Sequence, residues 1–345
     1  MATDRIRVGI VGASGYTGAE LLRLCAQHPD VDVVYATGDT QAGTAAAALY
    51  PALAAAYPQL VFESFDADRC RGLDAVFLGL PPEASMALAP ELVGAVGVVV
   101  DLSAAYRLRD ASLYPRWYGF THDQPALLAE AVYGLPELYR RDLKGARLVA
   151  TPGCYVTAAS LALAPLVRAG IVEPTGIVVD AASGVSGAGR ALKHSVQFCT
   201  VDEDVTAYGL LDHRHTPEIE QNLGGAQVLF TPHLVPMSRG ILATCYARPV
   251  AGPAPTTASL SAALAAAYHG EPFVVVRPEP PSTKATLGSN AVHLTVRYDE
   301  RTGWVLAIAA LDNLAKGASG GALQSMNVAL GLPEEAGLTR VGLFP

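Results

Sequence analysis

The glycine-rich segment Gly12-Ala13-Ser14-Gly15-Tyr16-Thr17-Gly18 indicates the fold of the first half of this chain. It follows an apolar segment, Arg7–Val11, which reads as a buried strand, and it leads into a helical pattern at Ala19–Gln27. The residues His28-Pro29-Asp30 end that helix, and a second strand is predicted at Val31–Ala36. Strand, glycine-rich turn, helix and strand in about thirty residues form a βαβ unit.

The same alternation of strands and helices continues along the chain. Buried strands are predicted at Ala75–Leu80 and Val96–Leu102, with a helix at Pro82–Val93 between them, whereas Ala42–Leu60 indicates only helix and loop. Such alternation up to about residue 150 predicts a Rossmann-type, doubly wound parallel sheet.

The pattern changes after Thr151. A long helix is predicted after Cys154, and several of the strands that follow alternate polar and apolar residues, as antiparallel strands with one solvated face do. These strands are predicted at Gly176–Ala182, Gln227–Pro232, Ile241–Ala247, Phe273–Arg277, Val292–Tyr298 and Trp304–Leu311. We therefore expect an α/β protein with an α+β catalytic domain, residues 151–311, built on a largely antiparallel mixed sheet. A helical pattern at Asp312–Leu330 is expected to return to the first domain, which then comprises residues 1–150 and 312–345.

The composition narrows the class of protein. Apolar residues make up 51% of the 345 residues, charged residues only 16%, and the formal net charge is −8. The chain is therefore expected to be globular and not to bind nucleic acid. Five scattered cysteines without a C-x-x-C pair predict neither a zinc site nor disulfides, and the spacing of the histidines predicts no metal. Met1–Arg7 carries three charges and does not resemble a secretory signal, and no run of 18 apolar residues occurs. We expect a cytoplasmic protein without a membrane segment.

The glycine turn predicts a dinucleotide site. Glycines in this context let the backbone approach a pyrophosphate, which is bound by amides at the start of the following helix. The residues assigned to the cofactor here are Gly12, Ser14, Gly15, Tyr16, Thr17 and Gly18. After the second strand, Thr37, Thr40 and Gln41 can hydrogen-bond a 2′-phosphate, but Asp39 would repel it. The local residues therefore favour NADP over NAD by a small margin, and we assign Thr37 to the cofactor.

Cys154 is the candidate nucleophile. It lies in Thr151-Pro152-Gly153-Cys154-Tyr155, where a strand gives way to a helix. A thiol at a helix N-terminus is near unpaired amides and the positive end of the helix dipole, which favour the thiolate. We expect the other four cysteines to be structural.

Two histidines are candidate acid–base groups. In His213-Arg214-His215-Thr216-Pro217-Glu218, Thr216 and Pro217 have the pattern of a helix cap and first turn. A nucleophilic cysteine needs a base that later returns a proton, and imidazole has a suitable pKa. We favour His215 over His213 because it is next to the fixed helix start, and a capping loop with solvated histidines is the alternative.

An anion site is predicted from small residues and two arginines. Ser183-Gly184-Val185-Ser186-Gly187-Ala188-Gly189-Arg190 follows a predicted strand and can present amides and hydroxyls to an anion. Arg107 and Arg239 lie in segments of low charge, and an arginine fork suits a carboxylate or phosphate. We assign Ser183 and Gly184 to the cofactor, and Ser186, Gly187, Arg107 and Arg239 to substrate. Either arginine can instead form a structural ion pair.

Taken together, these segments resemble the N-acetyl-γ-glutamyl-phosphate reductase family of arginine biosynthesis, within the semialdehyde dehydrogenase superfamily. The resemblance also rests on further motifs: Val100-Asp101-Leu102-Ser103, Tyr133-Gly134-Leu135-Pro136-Glu137, Pro232-His233-Leu234 with Pro236-Met237-Ser238-Arg239-Gly240, and Asp312-Asn313-Leu314-Ala315-Lys316-Gly317. It implies NADPH, a homo-oligomer (dimer or tetramer), and a place for Asn313 near the nicotinamide. Four positions depart from the family pattern: Pro82-Glu83 stands where His-Gly is common, Ala105 where an acid is usual, and Val156 where proline is usual.

The resemblance implies reduction of an acyl phosphate to an aldehyde through a Cys154 thioester, with release of inorganic phosphate. N-acetylglutamyl phosphate is the expected substrate. Aspartyl phosphate, or an amino-acid phosphate on a carrier protein, is an alternative substrate for the same chemistry. A non-catalytic NADP-binding redox sensor is an alternative of a different class.

Overall fold

The computed structural model describes residues 5–345, and it divides into two compact units. The first unit contains the chain up to Pro152 together with Ala318–Leu338, and the second contains Gly153–Gly317 together with Thr339–Pro345. Residues 1–4, which the interpretation of the N-terminus includes, lie outside the described residues. The sequence-based division placed 312–345 with the first domain, whereas in the structure 312–317 and 339–345 pack in the second unit.

The first unit is built on a six-stranded parallel sheet in the order β2-β1-β3-β4-β6-β5. Its strands are β1 (Ile6–Val11), β2 (Val31–Ala36), β3 (Ala75–Leu78), β4 (Val98–Asp101), β5 (Val132–Tyr133) and β6 (Leu148–Ala150). The strand order reverses between β1 and β3, which is where doubly wound sheets bind their ligands. The predicted Rossmann-type sheet is confirmed.

Helices connect successive strands of this sheet, and one further helix comes from the end of the chain. They are α1 (Tyr16–Cys25), α2 (Ala46–Leu49), α3 (Ala67–Cys70), α4 (Pro82–Leu92), α5 (Tyr114–Trp117), α6 (Pro125–Glu130), α7 (Pro136–Leu143) and, from the end of the chain, α13 (Gly320–Leu330). Leu323 and Met326 of α13 lie in one core cluster with Val8, Phe77 and Val98 of the sheet. The late helix therefore completes the hydrophobic core of the first unit.

The second unit contains a seven-stranded mixed sheet in the order β11-β12-β13-β10-β7-β9-β8. Its strands are β7 (Ile177–Gly184), β8 (Thr206–Ala207), β9 (Val228–Val235), β10 (Ile241–Ala247), β11 (Val274–Val276), β12 (Val292–Asp299) and β13 (Trp304–Leu311). The β7–β9 and β11–β12 pairs are parallel and the other pairs antiparallel. The predicted largely antiparallel mixed sheet is confirmed.

A long helix, α8 (Cys154–Arg168), packs on this sheet against β10 and β13. Eleven of its residues are buried, including every position from Tyr155 to Ala164, as expected for a helix that is apolar on all sides. The remaining helices are α9 (Phe198–Val201), α10 (Thr216–Asn222), α11 (Thr257–Ala267) and α12 (Thr283–Thr286). Since α8 is anchored along its whole length, its first residue, Cys154, has a fixed place in the unit.

The predicted helical pattern at Asp312–Leu330 is helical in the structure only from Ala315 onward. A π-helical turn at Ala315–Ser319 precedes α13, and the Gly317 amide donates to the Asp312 carbonyl, 3.0 Å away. Such wide turns occur frequently at functional sites. Within residues 5–345, no helix is both long and apolar enough to span a membrane.

Candidate active site

Cys154 is the first residue of α8, and its side chain is partly exposed. Gly153 is the N-cap residue in an extended conformation, and its carbonyl accepts from the amide of Thr157, 2.9 Å away. The first amides of a helix have no partner within the helix, and the helix dipole adds positive potential there. Cys154 therefore occupies a position that favours the thiolate.

The imidazole of His215 lies directly against Gly153. A β-carbon built on Gly153 would lie 2.6 Å from Cδ2 and 2.7 Å from Cε1 of His215, so no side chain fits at this position. His215 is 6% exposed and is the N-cap residue of α10. The predicted cap, Thr216, is instead the first helical residue, since the helix starts one position earlier than expected.

A buried carboxylate holds the residue before Cys154. Oε1 of Glu218, which is fully buried, accepts from the amide of Gly153 at 2.9 Å. Gly317 lies on the other side of the cysteine, where a β-carbon would be 2.9 Å from Cβ of Cys154. The α8 start is thus fixed by two neighbours that the sequence patterns did not assign to the site. Only the spacing of Glu218 three residues after His215 gave a signal, because it places both on one face of a short helix.

His213 has surroundings unlike those of His215. Its ring packs edge-on against Tyr155, Tyr208 and Phe230, with centroids 5.2–5.9 Å apart. Its Nδ1 accepts from the amide of His215 at 3.1 Å. Burial, assisted by the charge of Arg214, lowers the pKa of His213 from 6.5 to about 4. His213 is therefore neutral near pH 7 and braces the chain at His215.

Two tyrosines complete this cluster. The hydroxyl of Tyr155 donates to the His233 carbonyl at 2.9 Å, and the hydroxyl of Tyr208 donates to that of Tyr155 at 3.1 Å. Burial raises the pKa of Tyr208 to about 12, with the Tyr155 hydrogen bond opposing the rise and the charge of Cys154 adding to it. The sequence analysis gave neither tyrosine a role in the site. Tyr208 directly follows the two-residue strand β8, which brings it to the cluster.

The predicted anion segment pairs with the loop after β9. The amides of Gly184, Val185 and Ser186 donate to the carbonyls of Gly240, Met237 and Ser238, respectively, at 2.9–3.2 Å. A β-carbon at Gly184 would lie 2.8 Å from the backbone nitrogen of Arg239, so only glycine lets the two segments approach this closely. Ser183 is buried and its hydroxyl donates to the Gly184 carbonyl, while Gly187 is exposed. Ser183, Gly184, Ser186, Gly187 and Arg239 therefore lie together.

Asn313 belongs to the same arrangement. Its side chain bonds to the amide of Gly240 and to the hydroxyl of Ser186. Nη1 of Arg239 lies 3.6 Å from Oδ2 of Asp312. This is an ion pair of the kind that the sequence analysis gave as the alternative to substrate binding. Asn313, predicted to lie near the nicotinamide, thus contacts the predicted substrate loops.

Arg107 lies in the first unit, on the loop after β4. Its Nη2 donates to the Leu102 carbonyl at 2.9 Å, and the residue is 8% exposed. Burial raises the pKa of the nearby Asp101 carboxyl, while hydrogen bonds from Ser103 and the charge of Arg107 oppose the rise.

The glycine turn of the first unit has the close approaches that its residues predict. Gly12 has φ +87°, and a β-carbon there would lie 2.9 Å from the carbonyl carbon of Gly79 at the end of β3. A β-carbon at Gly18 would lie 2.6 Å from the carbonyl carbon of Ala13. Gly15 is the N-cap residue of α1 and provides no side-chain cap, so the first-turn amides have no side-chain partner from the cap. Helix α1 begins at Tyr16, three residues before the predicted start, so Tyr16, Thr17 and Gly18 are helical.

The loop after β2 braces this turn. Thr37 is buried, and its hydroxyl accepts from the amide of Gly12 at 3.1 Å. The hydroxyl of Ser14 donates to the Gly38 carbonyl at 3.2 Å. Asp39, with φ +42°, and Thr40 are exposed. The glycine turn, braced by the loop after β2, therefore fits a dinucleotide phosphate.

Three of the other four cysteines, Cys25, Cys70 and Cys245, are buried. Burial raises the pKa of Cys25 to about 12 and that of Cys70 to about 11, and it also raises the pKa of Cys245. Cys199 is exposed. In the part of the chain that the structure describes, no group of three or more His, Cys, Asp or Glu side chains is placed to hold a metal ion.

Comparisons with known proteins define the class. Residues 7–146 match the family model "Semialdehyde dehydrogenase, NAD binding domain", and residues 154–313 match "Semialdehyde dehydrogenase, dimerisation domain". The chain is thus an NAD(P)-dependent oxidoreductase of the semialdehyde dehydrogenase class.

Similar proteins identify the family within that class. A protein of Symbiobacterium thermophilum named N-acetyl-gamma-glutamyl-phosphate reductase is 51% identical, with 98% of each chain covered. One of Pseudomonas aeruginosa with the same name is 46% identical, with 99% of this chain and 100% of that one covered. The chain belongs to the family of N-acetyl-γ-glutamyl-phosphate reductases, which confirms the resemblance drawn from its motifs.

Solved structures share the fold. Aspartate semialdehyde dehydrogenase II of Vibrio cholerae, complexed with ASA, superposes with a TM-score of 0.68 at 16% identity, covering 94% of this chain and 98% of that one. The aspartate semialdehyde dehydrogenase of Candida albicans with NADP gives 0.68 at 16% identity, covering 95% and 99%. At this identity the likeness supports the architecture alone.

Proposed function

We propose that this chain catalyses the NADPH-dependent reduction of N-acetyl-γ-glutamyl phosphate to N-acetylglutamate semialdehyde, with release of phosphate, through a thioester on Cys154. The observation that carries the proposal is the pairing of Cys154 at the start of α8 with the His215 imidazole packed on the preceding residue, Gly153. The name shared by relatives 44–51% identical over nearly the full chain supports this substrate.

The first step is attack by the thiolate. His215 takes the proton of the Cys154 thiol, and the sulfur forms a bond to the acyl carbon. Negative charge develops on the carbonyl oxygen, and the amides at the start of α8 stabilise it. The bond from the acyl carbon to the phosphate oxygen then breaks, which gives the thioester and free phosphate.

The second step reduces the thioester. NADPH, when bound, supplies the hydride that reduces the acyl carbon. The tetrahedral adduct then collapses, the carbon–sulfur bond breaks, and the aldehyde leaves while Cys154 returns as the thiolate. His215 gives the proton that it took from the thiol to the oxygen of the adduct, and it takes this proton back as the adduct collapses. His213, neutral and bonded to the His215 amide, keeps that residue in place.

The binding residues are those assigned from the sequence. Gly12, Ser14, Gly15, Tyr16, Thr17, Gly18 and Thr37 are assigned to the cofactor, with the first-turn amides of α1 on its diphosphate. Ser183, Gly184 and Asn313 are also assigned to the cofactor, Asn313 near the nicotinamide. Ser186, Gly187, Arg239 and Arg107 bind the acidic groups of the substrate. We also propose NADP over NAD, a homo-oligomer and a cytoplasmic location.

The test is the reverse reaction. Purified protein should reduce NADP with N-acetylglutamate semialdehyde only when phosphate is present, and aspartate semialdehyde should be a poor substrate. Activity with aspartate semialdehyde alone would overturn the proposed substrate. Saturable NADPH binding without turnover of either aldehyde would instead support the sensor hypothesis, and Cys154→Ser serves as the inactive control.

A further inference from the structure

We infer that Asp312 and Asn313, consecutive residues after β13, are positioning residues that set Arg239 and Ser186 for the substrate's acidic groups. The inference rests on the proposed function, because it takes those two residues as the substrate-binding ones. In this inference Asn313 positions the two substrate-binding loops, which contain Ser186 and Arg239. This role is in addition to the nicotinamide contact that the family resemblance implies.

Asn313 bonds to two loops at once. Oδ1 accepts from the amide of Gly240 at 2.7 Å, and Nδ2 donates to the hydroxyl of Ser186 at 2.9 Å. The amide of Gly240 can only donate, so it fixes which end of the Asn313 side chain faces it. The other end must then face Ser186. Asn313 thereby sets the spacing between the Ser186 turn and the Arg239 loop.

Asp312 holds the neighbouring side chain. Oδ1 accepts from the amides of Leu314 and Ala315 at 2.8 and 2.9 Å, and Oδ2 accepts from the amide of Gly288 at 2.7 Å. The carboxylate is fully buried, and Nη1 of Arg239 lies 3.6 Å from Oδ2. Three amide donors make this carboxylate a rigid anchor, because each restricts its rotation.

The two contacts act on consecutive residues of one loop. Asp312 binds the side chain of Arg239, and Asn313 binds the backbone of Gly240. Gly240 has φ +115°, and a β-carbon there would lie 2.7 Å from Cβ of Thr283, so the loop has little room to adopt another path. The Arg239 side chain remains 28% exposed, which leaves it accessible to an anion from outside.

The same dipeptide is also connected to the nucleophile. The Asp312 carbonyl accepts from the amide of Gly317, and Gly317 packs against Cβ of Cys154. A shift at residues 312 and 313 would therefore disturb both the substrate-binding loops and the side of Cys154. This linkage predicts effects on substrate affinity and on turnover together, since a small misplacement of reacting groups is costly.

The experiment compares substrate and cofactor affinities in single and double variants. The KM for N-acetylglutamyl phosphate would be measured in the direction of reduction, and the KM for inorganic phosphate in the reverse direction. The NADPH Kd would be measured by fluorescence titration. Asn313→Ala should raise the substrate KM about tenfold, as expected for about 1.4 kcal/mol, in addition to any change in the NADPH Kd that follows from its assigned place near the nicotinamide. Ser186→Ala should add little to the KM in the Asn313→Ala background, because the two residues act as a unit.

Asp312→Asn tests whether Asp312 positions Arg239, because the substrate KM rises if positioning is lost and falls if only the charge matters. This variant also tests the inference if Asn313→Ala does not fold. Removing the negative charge beside Arg239 should by charge alone tighten anion binding. A raised KM, by about threefold or more, indicates lost positioning of the arginine. A lowered KM would overturn the inference for Asp312.

Other outcomes are equally decisive. A tenfold rise in the NADPH Kd of Asn313→Ala with an unchanged substrate KM would overturn the positioning role in favour of a cofactor contact alone. If Ser186→Ala and Arg239→Ala both leave the substrate KM unchanged, the substrate assignment and this inference fail together. The reductase activity itself would stand in that case.

Discussion

The imidazole of His215 occupies the space that a side chain on Gly153 would need, so the candidate base lies against the residue that precedes the candidate nucleophile. The same glycine donates its amide to the buried carboxylate of Glu218, one helical turn after His215. Glycine at position 153 is therefore explained by the packing of the His215 imidazole rather than by backbone freedom, since its φ is −65°.

Gly153→Ala should displace His215 and lower kcat about 100-fold, because a misplacement of about 1 Å costs that much. The NADPH Kd should remain unchanged, since the glycine turn lies in the other unit. Steady-state kinetics with a thermal melt would separate lost catalysis from lost folding. In a His215→Gln background, Gly153→Ala should add little, and full additivity of the two losses would show that the glycine does not act through the histidine.

The two histidines should differ in their effect on turnover. His215→Gln should lower kcat by a factor of about 100 to 10,000, as removal of a general acid–base group does. His213→Asn keeps an acceptor in reach of the His215 amide and should lower kcat less than about tenfold. Rates of both variants at saturating substrate measure this. The reverse ranking would transfer the acid–base role to His213.

Stability should fall as the pH decreases from about 6.5 to about 4. The pKa of His213 is lowered from 6.5 to about 4 on folding, so in this window the unfolded state binds a proton that the folded state does not. Stability therefore rises with pH across the window and is complete above the unfolded pKa. His28, His122 and His293, whose pKa values burial also lowers, act in the same direction.

The contribution of His213 is isolated by comparing denaturant unfolding of the chain and of His213→Asn at several pH values. The variant should show a shallower decrease in the free energy of unfolding between pH 6.5 and pH 4. Equal slopes in the two proteins would contradict the buried, neutral state of this histidine.

Thr37 and Asp39 should affect the cofactor in different ways. Thr37→Val removes the acceptor of the Gly12 amide and should weaken NADPH and NADH equally, because it acts on the shared phosphate turn. Asp39→Asn removes an exposed negative charge, and asparagine tolerates φ +42°, so it should favour NADPH over NADH, more so at low salt. Fluorescence titrations with both cofactors would check this. A Thr37→Val effect confined to NADPH would place that hydroxyl on the 2′-phosphate instead.

Strong local patterns predicted much of this molecule. The strands Ile241–Ala247 and Trp304–Leu311 have the predicted bounds, because each is a short, mainly apolar run with a glycine before it and a charged residue after it. The placement of Cys154 at a helix start was also predicted, since Pro152-Gly153 ends the preceding strand. By contrast, the π-helical turn before α13 could not be predicted, because no periodic pattern of residues distinguishes it from an α-helix.

The parts of the site that depend on tertiary contacts had no local signal. Glu218 gains its role from the amide of Gly153, 65 residues earlier. Tyr208 reaches Tyr155 through the two-residue strand β8, which is too short for any periodicity. The ion pair of Arg239 with Asp312 likewise joins residues that are distant in sequence.

The most direct measurement is the mass of the Cys154 peptide after mixing the protein with N-acetylglutamyl phosphate in the absence of NADPH. The proposed mechanism predicts one N-acetylglutamyl group on Cys154 and its loss on addition of NADPH. Acylation should be much lower with aspartyl phosphate, and also in the His215→Gln variant. Absence of acylation while the protein still reduces the acyl phosphate, or acylation at another residue, would contradict this mechanism.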